Sequence, residues 1–288
     1  MRLIELRNNF PWQLQVTAKI GVEQLNLSYS FLKLMGLTLY GGMERPQYAY
    51  DTFMKHFKSA PKDSKNYTIL ELGPGDSVSS AIIAHTLGVS KTYLVDAGSF
   101  AEHNTACYNR LIEFLGKKGL DASDMVECKS LHDYLERSNC EYLTSGLDSL
   151  KSIPDSSVDF IWSHAVLEHI RKKEFLQTFV ELRRILKPTG VSSHLMDLQD
   201  HMNGNLNHLR LSQHTWNSYM FRTSNFTNRI SFPEALGYFK RAGFNSKILQ
   251  LRRWSKLPVP KKKMAKEFQA LTDDDLRILD FHVLLYPV

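Results

Sequence analysis

The chain has 288 residues, 43% of them hydrophobic and 23% charged, with a formal net charge of +6. This length and balance suit a folded protein with a substantial core and exclude wholesale disorder. No apolar run reaches the roughly 18 residues of a membrane span, and the start "MRLIELRNNFPWQLQ" lacks the long apolar region of a secretory leader.

Residues 12–40 carry Val16, Ile20, Leu25, Leu27, Phe31, Leu32 and Met35 at roughly helical spacing, which predicts an N-terminal helical cap over 1–60. The polar, proline-containing "SAPKDSKNY" then links to a region, 61–288, where short apolar runs alternate with helical patterns. "YTILEL" is a strand, "SVSSAIIAHTLG" a helix closed by Gly88, and "KTYLVDA" a second strand. "FAEHNTACYNRLIEFLGKKG" reads as a helix, 124–137 as another, "CEYLT" as the third strand and "VDFIWS" as the fourth. In "KKEFLQTFVELRRILKPTG", Phe175, Phe179, Leu182 and Leu186 form an apolar stripe that Pro188 and Gly190 should end. "GVSSHLMDL" is the fifth strand, "SFPEALGYFKRAGF" the last covering helix, and "SKILQL" and "FHVLLY" two final strands. Strands alternating with helices predict a parallel sheet covered on both faces, with ligands at the carboxyl ends of its strands.

The turn after the first strand is "ELGPGDS". Gly73 and Gly75 let the backbone bend sharply and approach a ligand, and the following helix offers free N–H groups to an anionic group. The dinucleotide fingerprint G-x-G-x-x-G fails, because Val78 holds the third glycine position. Asp96 ends the second strand about 20 residues after Gly75, where a carboxylate can take both hydroxyls of a ribose. The alternative is that Asp96 caps the helix starting near Phe100.

Together "ILELGPG", "YLVDAG", "IPDSSVDFIWSHAVLEHI" and "ELRRILKPTG" resemble the class I S-adenosylmethionine-dependent methyltransferases, in family order, over roughly residues 65–200. A looser likeness, through "HMNGNLNHLRLSQHTW" and the C-terminal segment, is to methyltransferases of small metabolites and surface polysaccharides. The resemblance implies a Rossmann-like, doubly wound α/β fold, mostly parallel, with insertions near 198–232 and 253–280. It implies S-adenosylmethionine as cofactor. Glu71, Gly73 and Gly75 would line its amino-acid end, and Asp96 would hold the ribose with Ala97 beside it. Leu147 and Asp148 would flank the adenine, and Ser163 and His164 would face the methionine part. "TSGLDSLKS" departs from the family's acidic-plus-small pair after strand three, which leaves the register of Asp148 open by one or two positions.

An alcohol acceptor is a poor nucleophile unless a base takes its proton. Candidates gather after the fifth strand: His201 as base, with Asp197 or Asp200 as its partner, and His208 nearby. The same residues would allow a divalent ion, but their spacing matches no standard ligand motif, so no metal is predicted. His169 in "LEHI" reads as fixing a turn. The aromatics Tyr40, Tyr48, Tyr50, Phe53, Trp216, Tyr219, Phe221 and Phe226 suit either an acceptor pocket or a second apolar cluster.

The expected activity is methyl transfer to an oxygen of a small metabolite, sugar or lipid-linked acceptor. Transfer of another group from the same cofactor, or a non-catalytic cofactor-binding subunit, are the alternatives. Nucleic acid is not an expected partner, since "SHAVLEHI" lacks the Asn/Asp-Pro-Pro-aromatic motif and the basic stretch 252–266 lacks interleaved aromatics. That stretch reads as a solvated connector or an anion-attracting surface. Cys107, Cys128 and Cys140 are few, odd in number and not in C-x-x-C spacing, which predicts reduced thiols in the cytoplasm.

Overall fold

The computed structural model describes residues 42–61, 66–201, 204–220 and 226–288. The helical cap predicted for 12–40, with Tyr40 and Phe221, lies outside these residues, as does the side chain of Tyr219.

Seven strands form one sheet: β1 (Thr68–Leu72), β2 (Lys91–Val95), β3 (Cys140–Leu143), β4 (Val158–His164), β5 (Leu186–Asp197), β6 (Phe244–Arg253) and β7 (Ile278–Pro287). Their order is β3-β2-β1-β4-β5-β7-β6. The first five pair in parallel, while β7 runs antiparallel between β5 and β6. This is the Rossmann-like architecture expected from the sequence. The order reverses at β1, whose neighbours are β2 and β4, and a crevice at the carboxyl ends follows from that reversal.

Side chains alternate along β1, and both of its faces are covered. Ile69 packs on one side with α1 (Pro46–Phe57), α2 (Ser79–Thr86) and α3 (Ala106–Lys117), in a core containing Phe53, Ile82, Tyr108 and Trp162. Leu70 and Leu72 pack on the other, with α5 (Leu147–Ser152), α6 (Lys172–Ile185) and α8 (Phe232–Arg241), around Phe175, Phe179, Leu182, Phe239 and Phe281. Among the described residues the remaining α-helices are α4 (Leu131–Arg137), α7 (Gln213–Met220) and α9 (Asp273–Leu276).

Three boundaries differ from expectation. Helix α3 begins at Ala106, not Phe100, because the Tyr142 hydroxyl accepts the amides of Phe100 and Ala101 and the Asp76 carbonyl accepts that of Glu102. The stretch 124–137 is interrupted, and α4 starts afresh from a capping box in which Ser130 and Asp133 satisfy each other's amides. Helix α6 stops at Ile185 and the chain enters β5 at Leu186, two residues before Pro188. Proline biases the residue before it toward extended backbone. The last carbonyls of α6 are taken by the amides of Ser156 and Ser157.

The two expected insertions pack on each other. Leu206 and Leu209 from the first share a cluster with Val259, Met264, Phe268 and Leu276 from the second. The basic stretch 252–266 is thus partly anchored. Ala265 donates its amide to Leu209, and Lys261 pairs with Asp273 at 3.1 Å. Of the aromatics, Phe53 is core against Trp162, and Trp216 with Met220 and Phe226 makes a small satellite cluster. No described helix is long and apolar enough to cross a membrane.

Candidate active site

The turn after β1 depends on its glycines. Gly73 and Gly75 have φ of +75° and +67°, the left-handed region that side chains with a Cβ rarely adopt. A Cβ at Gly73 would stand 2.5 Å from both methyl carbons of Val166, which leaves no room for any other residue. The turn closes on Asp96: the Gly75 amide donates to Oδ2 at 2.9 Å and the Ala97 amide to Oδ1 at 2.7 Å. With α3 starting ten residues later, Asp96 is not a helix cap. Each carboxylate oxygen can accept a second bond, so both remain able to take a hydroxyl. Burial raises the Asp96 pKa, against the pull of the two amides.

Gly73 and Asp96 border a crevice of about 540 Å³, large enough for a nucleoside with an amino-acid tail. Ala97, Gly146, Leu147, Asp148, Val166 and His169 also line it. Gly146, at φ +55°, donates its amide to the Asp96 carbonyl at 2.8 Å and so fixes the start of α5 beside Asp96. Leu147 presents an apolar, half-buried side chain there, and Asp148 is exposed and paired with Lys151 at 2.8 Å.

Glu71, Ser163 and His164 stand behind this crevice and, like Gly75, are not part of its described lining. Alternation along the strands explains their placement. Glu71 shares a face with Ile69, beneath the first turn of α2, where the Ser80 hydroxyl donates to its carboxylate. Burial pushes its pKa up to about 8, with the charge of Asp96 adding and the Ser80 bond opposing. Ser163 is fully buried and pairs with His194 Nδ1 at 2.7 Å. His164 turns to the opposite face and meets His56 of α1 at 3.0 Å. His56 also bonds the Ser193 hydroxyl at 2.8 Å, which bonds His282 at 2.8 Å. Burial drives His164 and His282 down to about 4, so this network is a neutral one.

At the end of β5, Asp197 accepts the backbone and side-chain N–H groups of Gln199 at 2.9 and 3.0 Å. Asp200 is buried and accepts the Asn207 amide at 2.8 Å. His208 is buried beside Trp216. A carboxylate that faces His201 is that of Glu168, whose Oε1 is 3.9 Å from His201 Nε2. The rings of His201 and His169 stand edge to face, with centroids 4.7 Å apart. His169 does fix a turn, since its Nδ1 pairs with the Phe226 carbonyl at 2.7 Å. Sequence reasoning passed over Glu168. The available signal was strand adjacency: β4 and β5 are parallel neighbours, so the segments after them, 165–170 and 198–201, leave the sheet side by side.

Residues 118–193, from the end of α3 into β5, match a family model described as a methyltransferase domain. Among curated proteins, none matches the chain. Similar solved structures include an S-adenosylmethionine-dependent methyltransferase from Archaeoglobus fulgidus, at 13% identity and TM-score 0.47, covering 90% of this chain and 99% of that one. Another, from Methanosarcina mazei, is 17% identical with TM-score 0.44, covering 78% and 94%. A phosphoethanolamine N-methyltransferase from Haemonchus contortus is 12% identical with TM-score 0.47, covering 83% and 53%. The chain thus carries a segment that matches a methyltransferase domain, set in a Rossmann-like sheet whose glycine turn closes on Asp96.

Proposed function

We propose that the protein methylates an oxygen atom of a small metabolite, sugar or lipid-linked acceptor. The observation that carries this reading is the group of Glu168, His169 and His201 beside the cofactor crevice, at the carboxyl ends of β4 and β5. S-adenosylmethionine supplies a methyl group already activated on a positive sulfur, which leaves as a neutral thioether when the acceptor oxygen takes the methyl.

The chain's part is binding and alignment. The turn at Gly73 and Gly75 receives the amino-acid end of the cofactor, and the free lone pairs of Asp96 accept two ribose hydroxyls. Leu147 packs against the adenine and Ala97 borders the ribose. Glu71 supports the turn from below through Ser80, and Ser163 and His164 hold the end of β4 in place from either face. Orientation of this kind can supply roughly 7–11 kcal/mol of the barrier. His201, backed by Glu168, faces the acceptor hydroxyl, whose proton must leave as the O–C bond forms; Asp197 lines the neighbouring cavity with Glu168 and can relay it to water.

The test is incubation of the full chain with S-adenosylmethionine and a panel of hydroxylated acceptors, followed by mass spectrometry of both products. Formation of the demethylated cofactor with an O-methyl product is expected. Methylation confined to nitrogen, carbon or sulfur would refute the oxygen assignment, and failure to bind the demethylated cofactor in calorimetry would refute the role given to Asp96.

A further inference from the structure

We propose that Glu168, His169 and His201 form a binding site for one divalent first-row transition-metal ion at the acceptor end of the crevice. One ligand atom from each lies within 4.8 Å of the others. Ligands held about 2.0–2.2 Å from a common ion stand roughly 3–3.5 Å apart, so side-chain shifts of about 1 Å close the set. Two imidazoles and one carboxylate suit zinc, cobalt, iron or manganese better than the oxygen-only preference of calcium or magnesium.

Two further observations point to a ligand there. The Glu168 side chain is almost fully buried, at 1% exposure, and neither carboxylate oxygen has a hydrogen-bond partner of acceptable geometry. A buried ionised carboxylate in that condition costs several kcal/mol unless it takes up a proton or a cation compensates it. The second concerns His169. A carbonyl oxygen can only accept, so the proton of His169 sits on Nδ1, bonded to Phe226, and the Nε2 lone pair is directed away from that bond. Metal-binding histidines are oriented in this way, with the second ring nitrogen donating to a carbonyl or carboxylate.

The surroundings leave space for more than the three ligands. Glu168 borders a cavity of about 40 Å³, room for about one water. His208 Nδ1, Thr227 Oγ1 and Arg229 Nε around that cavity are buried and likewise lack partners of acceptable geometry. His169 borders the cofactor crevice on the other side. A cation between the two would lie beside an acceptor oxygen and would lower the pKa of that hydroxyl, whose proton would pass to Asp197, a neighbour of Glu168 in the same cavity, and on to water before methyl transfer. In this arrangement His201 is a ligand and not the base expected from sequence. Only this role for the cation rests on the methyl-transfer reading; the binding itself does not.

The test uses the full chain stripped with chelator and titrated with Co²⁺, read by calorimetry and by its visible absorption. One-to-one binding is expected, weakened at least about 100-fold in Glu168→Gln and in His201→Gln, and unchanged in His132→Gln, an exposed histidine elsewhere. Circular dichroism and titration with the demethylated cofactor establish that each variant is folded. Absence of stoichiometric binding, or binding as tight in Glu168→Gln and His201→Gln as in the parent protein, overturns the proposal. Undiminished cofactor binding alongside that result leaves the methyl-transfer reading intact, whereas Co²⁺ binding without cofactor binding would sink that reading and not the metal site.

Discussion

Glu71→Gln tests whether the carboxyl beneath the glycine turn is carried neutral by the folded protein. Its pKa is raised from 4.5 to about 8, burial being the largest cause. Below pH 4.5 the group is protonated in both folded and unfolded chains and contributes no pH dependence. Between pH 4.5 and about 8 the unfolded chain is ionised while the folded one keeps its proton, so stability falls as pH rises, by about 1.4 kcal/mol per unit. The loss reaches on the order of 5 kcal/mol and levels off above pH 8, where both states are ionised. A glutamine cannot ionise, yet its amide oxygen still accepts the Ser80 hydroxyl. Urea unfolding of both proteins at intervals from below pH 4.5 to above pH 8 should therefore give a difference that grows in the variant's favour with pH. A difference that stays flat across this range would refute the reasoning, because every other titrating group is common to the two proteins.

Gly73→Ala should abolish binding of the demethylated cofactor in calorimetry, since the left-handed backbone alone costs about 1–2 kcal/mol and the new methyl meets Val166. Asp96→Asn should weaken that binding by about 10–100-fold, the worth of hydrogen bonds to a charged acceptor; unchanged affinity would remove Asp96 from the ribose site. His56→Phe leaves the Ser193 hydroxyl and His164 Nδ1 each one partner short, and urea unfolding should register a loss of about 2–4 kcal/mol. A loss below half of the lower figure would mean the His56 network is not structurally important.

What the sequence disclosed was set by short-range chemistry. Apolar runs bounded by Gly88, Gly119 and the turn at Gly73 marked strands and helices, and a carboxylate at the end of β2 marked the crevice. Relations between distant segments were hidden. That Ser163 would be covered by His194, and His164 by His56, follows from which strand and helix lie alongside β4, which no local pattern specifies. The start of α3 was misjudged for the same reason: residues 100–105 have helical composition, but Tyr142 and Asp76 take the amides of 100–102 from elsewhere in the chain. His201 was read with its sequence neighbours Asp197 and Asp200, and a further carboxylate facing it, Glu168, comes from the segment after the adjacent strand.

That segment, residues 165–170, ties the two halves of the site together. It starts at Ala165 with φ +54°, a conformation unfavourable for a residue with a Cβ and kept only where surrounding bonds enforce it. Val166 then fills the space against Gly73, while Glu168 and His169 face His201. The enforcement comes from the first insertion. Asn228 donates its side-chain amide to the carbonyls of Leu167 and Ile170 and its backbone amide to Glu168, and the Phe226 carbonyl holds His169. Displacing Asn228 would therefore move Val166 off the glycine turn as well as Glu168 off His201. The first insertion is thus mechanically part of the crevice bordered by Gly73 and Asp96, and a substitution at Asn228 should change affinity for the demethylated cofactor although Asn228 is not part of the described lining of that crevice.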